Sequence, residues 1–497
     1  MKLVRILIQP FGALRSQCFR ELSTQAPRPF KDVPGLAALP IIGSWHRFLP
    51  ILASVGMQAN FFKILSAMRK KYGPIVKWEG FGGRGTMVIC FNPKDFDQVY
   101  RAEETNPLRP GFVSLEYFRE VLHKEKFQGV YGLTTAQGDQ WRDFRTKVNP
   151  ALLKIKMVQL YAPGLEEIAE DSIARLLKMT PKEISQDFYE EATKWSLESV
   201  ALIALGSRIG CLENNPADHP SQQLIYCARK ALDLPFILEL MPTLWKDKTK
   251  TALFKKILDI YDLQWKVSEE FIDQTKKRIK ERGHDIPEED QSILEKLLAI
   301  DEKVAVMMAN EMLMAGIDTV AFSLTGILYQ LAMNPGAQDK VREEIRQGKS
   351  ARYLKACLKE SLRLAPVVSA NLRVTSKDHV VGGYLIPKGV SLVAPNEILS
   401  KSEEHYPRAT EFLPERWIVE KSDPLYHGNT HPMVTLPFGF GVRSCIGRRI
   451  AELELEVFVK KLLDKVRVSW SGPPIQVTTR VMNTYKKPFS FKFEPVN

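Results

Sequence analysis

The chain has 497 residues, of which 44% are hydrophobic and 26% charged, and its formal net charge is +12. This length and apolar content suffice for a large buried core, and the lack of low-complexity tracts argues against a disordered protein. The 6 cysteines lie far apart with no C-x-x-C pair, which excludes a zinc ribbon and a secreted disulfide scaffold. The positive charge would suit nucleic acid, an acidic membrane or an acidic protein partner.

Residues 1–25 are predicted to be a mitochondrial transit peptide. Basic and apolar residues are interspersed, serine and threonine follow, and the only acid is Glu21. A secretory signal fits less well, because the charges are spread through the segment, and an ordinary frayed terminus is the other alternative. Residues 26–40 are rich in proline and indicate a linker. Residues 41–497 then form a single predicted domain.

The elements predicted along the rest of the chain are mostly helices. Residues 75–100 alternate as a β-hairpin does and continue into a helix from about Pro93. Apolar residues then recur every three or four positions, which predicts helices over 138–158, 163–180, 186–206, 252–282 and 291–334. A helix over 351–364, short strands over 373–393, irregular chain to about 444, a helix over 445–465 and a β-rich tail follow.

The most specific motif surrounds Cys445, in the string Phe438-Gly-Phe-Gly-Val-Arg-Ser-Cys-Ile-Gly-Arg-Arg449. Glycines before the cysteine and a helix after it predict a tight loop whose backbone N–H groups stabilise a thiolate, together with the positive end of the helix. A thiolate on haem iron favours cleavage of the O–O bond. For an isolated Gly-x-x-x-Cys, a buried structural cysteine would be the better interpretation, but not for the complete string.

Phe438, Gly441, Arg443, Cys445 and Gly447 match the signature F-x-x-G-x-R-x-C-x-G, so the chain resembles the cytochromes P-450 over about residues 30–497. The resemblance implies a mainly α fold with minor β, in which a long central helix passes over a haem. It implies haem b (iron protoporphyrin IX) as cofactor, bound by the loop around Phe438 and Gly447, with Cys445 as axial ligand of the iron. The implied activity is a haem-thiolate monooxygenase that inserts one oxygen atom from O2 into a lipophilic substrate.

A second matching element is Glu360-Ser-Leu-Arg363, followed later by Arg416 within Pro-Glu-Arg-Trp. An acid and a base three residues apart share a helix face, where they can pair. Alone, such a pair is more often solvated surface. The resemblance implies that Glu360, Arg363 and Arg416 form a buried ionic triad behind the haem.

The central helix carries a third element, Ala315-Gly-Ile-Asp318-Thr319. Glycine inside a helix costs stability and therefore needs a reason. The resemblance implies room for oxygen above the haem, with Thr319 holding dioxygen and water by hydrogen bonds and Asp318 relaying protons. A contact of small residues between two helices is the alternative. Val320 stands where related mitochondrial proteins usually carry a hydroxyl, which is expected to affect coupling or substrate fit.

The fourth element is Trp141-Arg-Asp-Phe-Arg145, whose ends share one helix face. The resemblance implies that Trp141 and Arg145 meet a haem propionate, a natural use for a guanidinium fork. Arg443 and Arg373 occupy other positions that usually serve the propionates. For Arg373, an exposed strand arginine is the competing interpretation.

Two basic pairs are typical of mitochondrial members. Arg448 and Arg449 follow the cysteine, and Lys355 and Lys359 form one patch on a helix before Glu360. In mitochondrial relatives such lysines dock an acidic, adrenodoxin-like ferredoxin, which passes on electrons from NADPH through its reductase. Complementary charge speeds such brief encounters. A merely solvated helix face is the alternative.

The amino-acid sequence as a whole looks most like those of arthropod mitochondrial P-450s, which act on ecdysteroids or xenobiotics. The resemblance implies substrate contacts in 110–132, in the helix ending near Leu240, at Ala315, in 367–370 and in 482–484. It also implies peripheral attachment to the matrix side of the inner mitochondrial membrane. The apolar run 232–245 would either contact that membrane or belong to a helix in the protein core. A haem-thiolate isomerase or dehydratase, and a non-catalytic haem-binding protein, are alternative functions; no motif supports nucleic-acid binding.

The connection at 336–352 is shorter than relatives usually have. Either the connection is truly shortened or a piece of the chain is missing from this sequence, and in the second case haem binding would suffer.

Overall fold

The computed structural model describes residues 26–39, 44, 46–47, 49–51, 61–80, 85–103, 105–240, 251–283, 287, 291–479 and 482–496. The predicted transit peptide lies outside the described residues. So does the end of the apolar run 232–245 that was expected to meet either membrane or core.

Helices dominate the described part of the chain. The α-helices are α1 (Phe61–Tyr72), α2 (Pro93–Arg101), α3 (Val113–Tyr117), α4 (Lys124–Phe127), α5 (Gly132–Thr135), α6 (Gly138–Leu153), α7 (Ile155–Gln159), α8 (Ala162–Leu176), α9 (Pro181–Leu205), α10 (Pro220–Leu240), α11 (Ala252–Arg282), α12 (Ile293–Leu298), α13 (Glu302–Met333), α14 (Pro335–Arg346), α15 (Arg352–Leu364), α16 (Asn396–Ser400) and α17 (Arg448–Lys465). A π-helical turn, Phe118–Leu122, joins α3 to α4. The prediction of a mainly α fold is confirmed.

The prediction was wrong about one helix. Segment 291–334, predicted as one helix, is split, because Ser292 and Glu295 form a capping box that begins α12 and the Asp301 side chain caps the first N–H groups of α13. The resemblance implied a helix that ends near Leu240, and α10 ends at that residue although its interior holds Pro235. An interior proline usually ends a helix, so neighbouring helices must stabilise this one.

The central helix α13 organises the larger apolar core. It packs against α9, α10, α11, α15 and α17, and residues along most of its length are buried. The helix is long and apolar enough to cross a membrane, but most of its apolar stretch is covered by the rest of the protein. A helix that is apolar on all sides and covered in this way is a core helix.

Short strands form the minor β part. They are β1 (Gly35–Leu36), β2 (Ile75–Trp78), β3 (Met87–Cys90), β4 (Asn371–Val374), β5 (His379–Val381), β6 (Tyr384–Ile386), β7 (Ser391–Ala394), β8 (Val466–Trp470), β9 (Val477–Thr479), β10 (Asn483–Tyr485) and β11 (Phe491–Pro495). The largest sheet has the order β1-β2-β3-β7-β4, and β2 pairs with β3 in antiparallel register from Ile75 opposite Cys90. The hairpin β2–β3 followed by α2 at Pro93 is the predicted arrangement. The sheet has its own apolar core.

The short connection 336–352 is formed by α14 and a tight turn. The Gln338 side chain donates hydrogen bonds to the Leu331 carbonyl and to a carbonyl of β8, at 3.1 and 2.7 Å. The Glu344 carboxylate accepts the N–H groups of Tyr353 and Leu354 at the start of α15, at 2.8 and 3.1 Å. The connection is therefore bonded at both of its ends, and Glu344 serves as the N-terminal cap that α15 otherwise lacks.

Candidate active site

The loop before α17 holds Cys445 by backbone geometry. Gly439 and Gly441 have φ values of +73° and +67°, a region that other residues rarely adopt. These turns fold the chain back, so that the Cys445 N–H donates to the Phe438 carbonyl at 2.8 Å. The helix α17 begins three residues after the cysteine, with Gly447 as its N-cap. The sequence therefore places the sulfur near the positive end of a long helix.

The Cys445 side chain is exposed, whereas the other cysteines in the described residues are buried. Its sulfur is accessible, yet protein atoms surround it on most sides. Burial among protein atoms raises the pKa of the Cys445 thiol, while the Gly447 amide and the charges of Arg145 and Arg109 act to lower it. The predicted N–H group is thus present beside the sulfur, but it lowers the thiol pKa by less than burial raises it.

Four arginines crowd the region beside Cys445. Arg145 donates to the carbonyl of Ser444 at 3.1 Å, and Arg373 donates to the carbonyl of Phe440 at 2.9 Å and pairs with Glu103. Arg373 is only 2% exposed, which excludes the interpretation as a surface strand arginine. Arg443 and Arg109 complete the group.

Arg443 is the most constrained member of this arginine cluster. Its guanidinium donates to the carbonyls of Pro107 and Ala136, both at 3.1 Å, and lies 4.0 Å above the centre of the Trp141 ring. Burial, together with Arg109 and the other arginines, lowers the pKa of Arg443 to about 9. Trp141 therefore supports Arg443 by stacking, a role that sequence reasoning did not give it.

The positive charge of the cluster exceeds the negative charge opposite it. Among the described residues, Glu103 pairs with Arg373 and acts on Arg443, and Glu311 acts on Arg109, so four guanidiniums face two carboxylates. Burial with mutual repulsion lowers the pKa of Arg109 and Arg145 as well. The Nε of Arg145 is buried and makes no hydrogen bond within the described residues. A cofactor with two acidic arms and a metal that binds one thiolate would satisfy these groups, so the residues present fit a haem.

On α13, two residues four positions apart face open space. Ala315 is exposed and Thr319 half-buried, although the helix is buried along most of its length. The Thr319 hydroxyl donates to the carbonyl of Ala315 at 2.8 Å. Gly316 points elsewhere: a Cβ there would lie 2.7 Å from a methyl group of Val200 in α9. Gly316 thus serves a close helix contact, which was the alternative interpretation for this element.

Asp318 lies between three helices and is 8% exposed. Its carboxylate is 3.6 Å from the Nε of Arg229 on α10, and the Tyr189 hydroxyl of α9 donates to its backbone carbonyl at 3.4 Å. Arg229 also donates to the Thr193 hydroxyl at 2.7 Å. The neighbouring Val320 is buried in the apolar core. The acid that was predicted to relay protons therefore sits beside a cation carried by a separate helix.

Glu360, Arg363 and Arg416 lie together and each is 0% exposed. Glu360 accepts from Arg363 at 2.8 and 2.9 Å, from Arg416 at 3.1 Å and from the Trp417 indole at 2.9 Å. Arg363 also donates to the carbonyl of Ala409 at 2.7 Å. The structure thus brings the three predicted residues into one hydrogen-bonded network, not a solvated surface pair.

The four basic residues predicted to dock a ferredoxin are all exposed: Lys355, Lys359, Arg448 and Arg449. Lys355 lies 3.3 Å from Glu456 of α17, which shows that the basic face of α15 is beside the helix that follows Cys445. Lys359 lies 5.8 Å from the centre of the Trp417 ring. The four charges therefore occupy neighbouring helices on one side of the cysteine loop.

A further charged pair holds the short helix α5. The Glu311 carboxylate of α13 accepts the N–H groups of Leu133 and Thr134 at 2.7 and 3.1 Å, and it pairs with Arg119 at 2.7 Å. From the other end of α5, Arg443 donates to carbonyls. An anion at the N-terminus and a cation at the C-terminus both match the helix dipole.

Sequence reasoning missed Arg109, Arg229 and Glu311. Arg109 lies in irregular chain between prolines, where no periodicity indicates which way a side chain points. Glu311 could have been singled out, because it is one of two acids, with Asp318, in the middle of a largely apolar helix.

Comparison with known proteins agrees with this geometry. A cytochrome P450 family model matches residues 34–493. Cytochrome P450 CYP12A2 of Musca domestica is 36% identical over 97% of this chain and 96% of its own length. Probable cytochrome P450 12b2, mitochondrial, of Drosophila melanogaster is 34% identical over 95% and 90%, and probable cytochrome P450 301a1, mitochondrial, of the same fly is 32% identical over 94% and 87%. The predicted likeness to arthropod mitochondrial P-450s is confirmed, and the chain belongs to the cytochrome P450 family of haem-dependent monooxygenases.

Proposed function

We propose that the protein is a mitochondrial haem-thiolate monooxygenase that oxidises a lipophilic xenobiotic or steroid, an ecdysteroid among them, with electrons from NADPH through ferredoxin reductase and ferredoxin. The observation that carries the proposal is the arrangement around Cys445. An exposed sulfur at the start of α17, an arginine cluster beside it and an open face at Ala315 together suit a planar, acidic, iron-containing cofactor.

Cys445 would bind the iron of haem b, and the arginine cluster would bind the two propionates. When bound, the haem supplies the oxidation chemistry, using O2 and two electrons. Arg443 and Arg145 would orient the cofactor, because their hydrogen bonds to the loop segments fix both guanidiniums. Phe438 and Gly447 would shape the loop, and the Glu360 network would hold the chain behind it.

Asp318 and Thr319 would transfer protons on the side of the haem opposite Cys445. The Thr319 hydroxyl is both a donor and an acceptor, so it can give one hydrogen bond to Ala315 and receive one from water on the open face. The Asp318 carboxylate, 3.6 Å from the Nε of Arg229, would pass protons from solvent towards Thr319. This pair supports monooxygenation over rearrangement of a peroxide, which needs no external proton supply.

Location and partner rest on charge and on the relatives. Several relatives are named mitochondrial, which supports a mitochondrial place for this chain, on the matrix side of the inner membrane. The exposed basic residues of α15 and α17 would receive an acidic ferredoxin. We also propose that residues 1–25 are removed on import and that 41–497 act as one domain.

The test is the carbon monoxide difference spectrum of the reduced protein, expressed from about residue 26. We expect the strongly red-shifted band of thiolate-bound haem in the wild type and in Cys90→Ala, a control at a buried cysteine. Cys445→Ser should lose that band. A band of the histidine-bound kind in the wild type would contradict the proposal. Product formation that requires both NADPH and ferredoxin would then separate a monooxygenase from an isomerase and from a non-catalytic haem protein.

A further inference from the structure

A buried carboxylate, that of Glu397 in α16, joins two segments that are far apart in the chain. Glu397 is 5% exposed. One of its oxygens accepts from the Ser369 hydroxyl at 2.6 Å and from the Asn483 side chain at 3.1 Å. Its backbone N–H donates to the Ser369 carbonyl at 3.0 Å. The carboxylate therefore fixes both the turn that precedes β4 and the first residue of β10.

The two segments are also bonded to each other. The Asn483 N–H donates to the carbonyl of Val367 at 2.8 Å, and its side chain donates to the carbonyl of Pro366, also at 2.8 Å. The other Glu397 oxygen accepts from Lys401 at 2.9 Å, one helical turn further on. The cation balances the buried charge, so that the first oxygen remains an acceptor for Ser369 and Asn483.

Neighbours of these anchored residues face the opposite way. Side chains alternate along a strand, and in β10 Asn483 and Tyr485 are buried while Thr484 between them is half-buried. Before β4, Val368 is 41% exposed although Ser369 beside it is 4% exposed. Each segment thus has a polar anchor towards Glu397 and a residue turned towards open space.

The wall made by these two segments stands next to the open face of α13. The Tyr485 ring stacks on Phe322 with centroids 4.4 Å apart, and its hydroxyl would be 2.7 Å from a Cβ placed at Gly326. Phe322 follows Thr319 by less than one turn of α13. Tyr485, the neighbour of Thr484, therefore packs against α13 within one turn of Thr319, and the segment that carries Val368 is bonded to the same strand.

We infer that Glu397 is a positioning residue for substrate. It holds the segments of Val368 and Thr484 together as one rigid wall, with one apolar and one polar side chain, and this wall sets which lipophilic molecules fit. This inference rests on the proposed function, since it requires a haem on the Cys445 side of the same space. Glu397 itself does not reach the open space. Removing its carboxylate would strand one N–H of the buried Asn483 amide and leave the Ser369 hydroxyl only its longer hydrogen bond to the Asn483 side-chain oxygen, at 3.3 Å. The two segments would stay bonded to each other but would lose their common side-chain attachment to α16.

The experiment is a spectral titration of the haem-loaded chain with two azoles. Imidazole binds haem iron and has no apolar arm, whereas 1-(4-phenylbutyl)imidazole carries an apolar arm that probes the surrounding protein wall. We expect Glu397→Leu to raise the Kd of the long azole roughly tenfold, the loss expected for a stranded buried donor. The Kd of imidazole should stay within about a factor of two. Ser369→Ala should also raise the Kd of the long azole, but by less. Glu404→Leu, a surface control, should change neither Kd.

An unchanged ratio of the two Kd values in both Glu397→Leu and Ser369→Ala overturns the inference. Equal losses for both azoles also overturn it, because they would indicate general damage to the haem site. If Glu397→Leu fails to hold haem, the ratio measured in Ser369→Ala decides. If the wild-type protein shows no spectral change with imidazole, the proposed function itself is refuted, and the inference falls with it.

Discussion

The buried pair Arg119–Glu311 allows a sharp test of the electrostatics. The two residues are 1% and 3% exposed, and their charged groups lie 2.7 Å apart. Arg119→Met would leave Glu311 with only the N–H groups of α5, and an uncompensated buried charge costs about 3–5 kcal/mol. Glu311→Gln should cost a similar amount, since it strands the guanidinium of Arg119, which retains only the Tyr131 carbonyl at 2.6 Å.

The assay is equilibrium urea denaturation of the haem-loaded variants, followed by far-ultraviolet circular dichroism. The double variant Arg119→Met/Glu311→Gln should lose less than the sum of the two single losses, because no buried charge remains unpaired. Arg142→Met serves as the control: that arginine is 49% exposed and pairs with Asp139 at 3.2 Å, so its loss should be below about 1 kcal/mol. If Arg119→Met costs no more than Arg142→Met, the reasoning about this pair is refuted.

Three further predictions follow from the site and the core. Gly316→Ala should destabilise the protein by about 1–3 kcal/mol through overpacking, and Val200→Ala in the same chain should recover part of that loss; a neutral Gly316→Ala in urea denaturation would contradict the close contact. Lys359→Glu should raise the KM for ferredoxin roughly tenfold with little change in kcat, whereas Lys277→Glu on α11 should not, as steady-state kinetics at varied ferredoxin would show. Burial raises the pKa of Glu454 well above its ordinary range, so the folded state keeps a proton that the unfolded state releases and stability falls as pH rises. Glu454→Gln should then be more stable than wild type in urea at neutral pH, with the difference shrinking towards acidic pH, and a constant difference would show that ionisation is not the cause.

Residues that belong to a local pattern were the ones predictable from sequence. The loop around Cys445 is specified by glycines and a following helix within one short string, and Pro93 begins α2 as its position after a strand suggested. The break before α13 was also encoded locally, by the capping box at Ser292 and by Asp301, but the continuous apolar period concealed it. Helix α10 was expected only from the resemblance and not from the apolar period, and it carries an interior proline, which is normally a stop signal.

Residues whose partners lie far along the chain were not predictable in the same way. The partners of Glu311 lie more than 170 positions earlier in the sequence, and Glu397 sits in a short helix between strands with no pattern of its own. Their roles depend on which segments the fold brings together. The grouping of Glu360, Arg363 and Arg416 was predicted only from the match to a known family, since the spacing of an acid and a base three residues apart does not distinguish buried from exposed.

The crowding of Arg109, Arg145, Arg373 and Arg443 also bears on how the protein matures. Like charges brought together in a partly desolvated region oppose the final closure of the segments that carry them, and Glu103 offsets only part of that repulsion. An anionic ligand that binds only the closed form adds to its stability in proportion to ligand supply. Completion of the fold and capture of the cofactor thus become a single event, and the amount of mature protein should follow the availability of haem.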